Sequence, residues 1–210
     1  MMGRRMGYYG FSVVTVSVLV ALTTVSCGSG GSGSMTAPSP TCSTTLHGEV
    51  SDPIGDVRAY PGAPNPPDLV HGTADVCGTN ITFTVRLASG PFDATTTLLI
   101  IDLDTDQNSA TGQSGGLGLG VDYLISMGDG QSNQAVIGQY IGPLNFGTVG
   151  NAPVTFVADG MNVTVPLSMI GSRDGRMNFR VSSFVHLPGT TTSGSLDDMP
   201  DAALSPGSVQ

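Results

Sequence analysis

Lysine and tryptophan are absent from this chain of 210 residues, and seven arginines stand against sixteen acids. Two of those arginines and none of the acids precede Cys27, so the remainder carries five positive and sixteen negative side chains, a net of −11. A surface so short of cations repels phosphate backbones and anionic headgroups, which excludes nucleic acid as a partner. Without tryptophan, any stacking on sugar rings falls to tyrosine. Cysteine is scarce as well: there are three, with no C-x-x-C pair, so a dithiol redox centre or a structural zinc site has no ligands. His47, His71 and His186 stand singly, with no H-E-x-x-H and no Met/His pair assignable to haem. Helical periodicity is nearly missing beyond Leu46, and the "GLGLG" run has no β-α-β unit around it to make a dinucleotide loop.

What is present begins with an export pattern. Arg4 and Arg5 precede an apolar run, Phe11 to Ala21, too short to span a bilayer comfortably, and small residues follow up to Cys27. Residues 1–26 therefore read as a signal peptide. "TVSC", Thr24 to Cys27, resembles the lipobox of bacterial lipoproteins, which implies lipidation of Cys27 and anchoring at the outer side of the cell membrane. A plain cleaved signal followed by an incidental cysteine, or an uncleaved signal anchor, are the other readings of the same residues. Residues 27–45 are a Gly/Ser/Pro tether that cannot bury enough surface to order itself. With Cys27 lipidated, Cys42 and Cys77 are an even pair in an oxidising compartment, and a disulfide between them is expected, two separate thiols being the alternative.

From Leu46 onward the chain reads as short strands between turn residues. "ITFTVRL" alternates Ile81, Phe83, Val85 and Leu87 with polar residues, which gives one buried and one wet face. "VTFVADGMNVTVPL" reads as a hairpin turning at Asp159-Gly160, and "NFRVSSFV" as a strand with Phe179 and Val181 inward. "TTTLLIID" is apolar on both faces and belongs at a sheet centre. Strands at this spacing predict a single all-β domain over residues 46–203, an antiparallel, jelly-roll-like β-sandwich, with residues 204–210 as a loose tail.

The densest chemistry lies in "IIDLDTDQNSATG", Ile100 to Gly112. Strand spacing would hold Asp102, Asp104 and Asp106 on one side about 6.6 Å apart, where each adjacent pair repels by about 2.5 kcal/mol at an effective dielectric of 20. With no lysine to answer them, either the side chains splay into water as a solvated acidic turn or, as expected here, a hard cation sits among these acids and the Asn108 and Thr111 side chains, with Asp122 from a second loop. Oxygen-only donors favour calcium over zinc. Asp52 and Asp56 are further metal candidates that could equally be turn formers. The loop is no EF-hand, since Gln107 stands where that motif needs glycine and no Glu closes it.

The succession "DPIGD", "PDL", "ITFTV", "IIDLDTDQNSATG", "VDYLI" and "DDMPDA" resembles secreted bacterial domains related to family 9 carbohydrate-binding modules and to DOMON domains. The resemblance covers Leu46 to Asp201 and implies a sandwich, often calcium-bearing, that serves as a non-catalytic binding or accessory module. Tyr60, Tyr123 and Tyr140 are then the candidate platforms for a polysaccharide; a structural or adhesion role towards an envelope protein is the alternative. A third reading, a serine hydrolase, rests on "GQSGG" with Ser114, followed by Asp174 and His186, but a Gly-rich stretch stands where the nucleophile elbow needs a helix.

Overall fold

The computed structural model describes residues 43–114, 118–128, 130, 133–186, 193–201 and 204–210. The expected signal and the expected tether up to residue 42, with Cys27 and Cys42, lie outside the described residues. Among those described there are thirteen strands and one short 3₁₀ helix, and every strand pairing is antiparallel. No described helix is long and apolar enough to cross a membrane.

One face of the sandwich runs β1 (Leu46–Ser51), β2 (Leu69–Cys77), β3 (Asn80–Leu87), then β10 (Gly160–Pro166). The other runs β8 (Gln134–Gly142), β7 (Tyr123–Gly128), β4 (Thr97–Asp104), β11 (Met177–His186), β12 (Ser193–Met199). The long strand β9 (Asn145–Val157) belongs to both: its first part pairs with β8, and Val154 to Val157 pair with β10. A small ribbon, β5 (Gln113–Ser114) with β6 (Gly120–Val121), flanks the acidic loop. The 3₁₀ helix Leu167–Ile170 follows β10.

The alternation read from the sequence gives the core. Ile81, Phe83, Val85 and Leu87 from one sheet meet Leu99, Ile101, Leu103, Phe179 and Val181 from the other, all buried. Phe83 and Phe179 touch edge to face across the interior, their centroids 5.9 Å apart, a geometry that adds about 0.5–1.5 kcal/mol beyond burial. β4 is central, between β7 and β11, as its two apolar faces require.

Two expectations need correction. The turn between β9 and β10 is Ala158-Asp159, since Gly160 already pairs with Val157. A Cβ on Gly160 would come within 2.0 Å of the Val85 carbonyl oxygen, so this glycine serves close strand approach rather than the turn. More consequentially, the last residues are not a loose tail. Gly207–Val209 form β13, paired with β11, and His47 and Gln210 exchange backbone hydrogen bonds of 3.2 Å on its other side. Val209 is fully buried. Three residues are too few to display a period, which is why the strand escaped a pattern-based reading.

Candidate functional site

β4 ends at Asp104, and the chain turns through Thr105 to Gly112 before the β5–β6 ribbon. The turn is built by its own polar side chains. The Asn108 amide donates to Asp104 Oδ1 at 3.0 Å and to Asp106 Oδ1 at 2.9 Å; Asn108 Oδ1 accepts from the Ala110 amide at 3.2 Å. The Thr111 hydroxyl donates to Asp106 Oδ2 at 2.9 Å. Asp122 closes the arrangement from the junction between β6 and β7, its Oδ2 accepting from the Thr105 amide at 3.0 Å and from the Thr105 hydroxyl at 3.1 Å.

Asp104, Asp106 and Asp122 thereby each bring a carboxylate oxygen within 4.8 Å of the others. Two oxygens opposed across a calcium ion, each about 2.4 Å from it, stand about 4.8 Å apart, so oxygens no farther apart than this can share one ion. Asp104 is buried, and its carboxyl is held above the usual range, first by burial and further by Asp106. Asn108 directs its side-chain oxygen to the Ala110 amide.

Asp102 does not join this group, which corrects the expectation of a triple from one strand. Strand twist and the turn after Asp104 separate the side chains that alternation would align. Asp102 pairs in register with Arg180 on β11, and burial with the charge of Asp198 pushes it up to about 6, Arg180 opposing.

Beside the Asp104 group lies a cleft of about 270 Å³ lined by Thr105, Asp106, Asp122, Tyr123, Gln139 and Tyr140, among others. Two of the three candidate tyrosines and two of the candidate metal ligands therefore converge. Tyr140 packs edge to face on Phe146 at 5.8 Å. Burial, and then the Asp122 charge, raise the Tyr123 hydroxyl above its ordinary value. Tyr60 lies elsewhere, half exposed on the β1–β2 connection. A larger hollow of about 450 Å³ near the 3₁₀ helix is lined by Arg173 and no acid.

The weaker candidates, Asp52 and Asp56, fall in a second group. Asp52, Asp56 and Asp201 form one set with carboxylate oxygens within 4.8 Å, and Asp56, Asp68 and Asp197 form another. Asp197 Oδ2 accepts from the Leu69 amide at 2.7 Å, Asp68 Oδ2 from the Gly55 amide at 2.9 Å, and Asp52 Oδ1 from the Asp201 amide at 3.1 Å. Burial, then the charges of Asp56 and Asp197, push Asp52 up to about 7; burial pushes Asp197 up to about 6. Asp68, Asp197 and Asp201 were not anticipated as site residues. They come from segments more than a hundred residues apart, and only the Pro-Asp and Asp-Asp pairs that contain them hinted at anything beyond turns.

Below them Arg180, 1% exposed, donates to the carbonyls of Pro200 at 3.0 Å, Asp201 at 3.2 Å and Leu204 at 2.6 Å. Arg58 pairs with Asp198, which also accepts from the Ser182 hydroxyl at 2.6 Å.

Cys77, the last residue of β2, is disulfide-bonded; Cys42, its expected partner, lies outside the described residues. Ser114 is exposed on β5, and Asp174 accepts from the Arg176 amide at 3.0 Å. His186 ends β11. A scan against protein-family models finds no match to this chain, and neither does a search of curated proteins.

Proposed function

We propose that this chain is an exported, non-catalytic binding module, tethered at the cell envelope through lipid on Cys27 and braced by a Cys42–Cys77 disulfide, whose cleft beside the Asp104 group takes a short stretch of polysaccharide. The observation that carries the reading is the convergence of Asp106, Asp122, Tyr123 and Tyr140 on one cleft. Tyrosine offers a ring face for a sugar and a hydroxyl for its polar edge. Carboxylates and Gln139 accept from or donate to sugar hydroxyls, and calcium held by Asp104, Asp106 and Asp122 neutralises the repulsion among them while fixing the loop that forms one wall. The cleft is slightly smaller than the roughly 300 Å³ at which small-molecule pockets begin, which suits one unit of a longer chain.

A glycan array probed with the full chain, with calcium and with chelator, tests this. Binding to a polysaccharide that weakens with chelator and is lost in Tyr140→Ala is the expected outcome. Silence across all polysaccharides in calcium would remove the sugar reading.

The second reading, adhesion to an envelope protein, is favoured by the β8–β9 hairpin beside the same cleft. Ile141 and Leu144 at its tip are 62% and 88% exposed, and apolar side chains so presented suit a protein partner. Crosslinking from an engineered cysteine at Leu144 in envelope extract distinguishes the two: a discrete adduct supports adhesion.

A further inference from the structure

The acids around Asp56 present a different problem from those of the loop. Asp52 is 9% exposed, and its Oδ2 is shut off from solvent and accepts no hydrogen bond from any described residue; the same holds for both oxygens of Asp56 and for Asp68 Oδ1. Buried carboxylate oxygens are ordinarily hydrogen-bonded, so four orphans in one place point to a group that binds oxygen and is not protein. The nearest cations do not answer them. Arg180 spends its described hydrogen bonds on three backbone carbonyls, and Arg58 is paired with Asp198.

We propose that Asp52, Asp56, Asp68 and Asp197, with Asp201, form a divalent-cation site, separate from the Asp104 group, that takes calcium and fastens the β1–β2 connection to β12. Asp56 belongs to both sets of converging oxygens and has neither of its own satisfied, which makes it the central ligand. The donors are all carboxylate oxygens, the choice of a hard cation, and a cage of several protein carboxylates suits calcium better than magnesium, which usually keeps several waters and takes only one or two carboxylates. The ligands arrive from three places: the end of β1 and the turn after it, the residue before β2, and β12 with the residue beyond its following proline. The connection from Asp52 to Asp68 is long and rich in proline, and one isolated bridge, Arg58 to Leu196, is its other backbone tie to β12. Connections of that length without structure of their own are uncommon. An ion at Asp56 supplies the missing restraint. The proposal stands independently of what the tyrosine cleft binds.

Trypsin tests it, because a chain without lysine offers few cut sites. Arg58 is in the connection the ion would hold, with a side chain 57% exposed; Arg173 and Arg176, exposed between the 3₁₀ helix and β11, are internal references. In the full chain, calcium is expected to slow cleavage after Arg58 by about tenfold or more relative to chelator, without a matching change after Arg176. Asp56→Asn and Asp68→Asn should each abolish that protection and weaken calcium binding, followed by elemental analysis and calorimetry, by about tenfold or more. Asp106→Asn should leave it intact. Equal cleavage after Arg58 in calcium and chelator would overturn the proposal, as would retained protection in both Asp56→Asn and Asp68→Asn, or its loss in Asp106→Asn. If either variant at Asp56 or Asp68 lacks the strand signal in circular dichroism, the unmodified chain in calcium against chelator decides.

Discussion

Position 180 puts a guanidinium in the middle of a strand whose neighbours Phe179 and Val181 fill the core. Arg180 faces the other way, and Pro200, Asp201 and Leu204 give it three carbonyl acceptors where it is buried. Removing a buried charge that others are arranged around costs about 3–5 kcal/mol. Arg180→Met is expected to lower unfolding free energy by that amount in urea titration, through unpaired carbonyls and through Asp102 left without its cation, while Asp198 keeps Arg58. His47 is a milder case. Its Nδ1 is 2.8 Å from Asp75 Oδ1, and that bond raises its pKa above 6.5. Because the folded value is the higher one, the stabilisation is complete below pH 6.5 and disappears as pH climbs through the raised value. Ring-proton titration by NMR should place the His47 midpoint above the ordinary range, and Asp75→Asn should return it. At this scale the sequence was legible where chemistry was local. Asp104, Asp106 and Asn108 belong together because a single turn holds them; Asp102, two residues away, goes to Arg180, a choice made by the neighbouring strand.

Elements were read well wherever a period of two ran for six residues or more. β3, β10 and β11 bury the residues their alternation assigned, and β4 lies centrally because both its faces are apolar. Short strands were illegible. β13 has three residues, and its reality rests on what it touches: Val209 in the core, and glycines at the two closest approaches. A Cβ on Gly207 would stand 2.6 Å from the Phe179 ring, and one on Gly48 2.7 Å from the Ser208 carbonyl oxygen. Gly207→Ala is therefore expected to destabilise by about 1–3 kcal/mol as the ring is forced aside, measurable as a lowered denaturation midpoint with an unchanged slope. If β13 were dispensable, the variant would melt with the parent.

Across the whole molecule, the sandwich was foreseeable from strand count and spacing, but the meeting of acids from both ends of the chain was not, because it depends on which strands become neighbours. Covalent bracing belongs to this scale too. Cys77 is disulfide-bonded, and with Cys42 as partner the closed loop would contribute about 4 kcal/mol by restricting the unfolded chain. Reduction, or Cys77→Ser, should cost approximately that in chemical denaturation while leaving strand content unaltered. A further consequence follows from β13 lying between β1 and β11. The first strand finds its far neighbour only when residues 207–209 have been made and set free. Until then the seam stays open, and a chain still emerging from the ribosome cannot lock: the sandwich shuts only after its last strand is released.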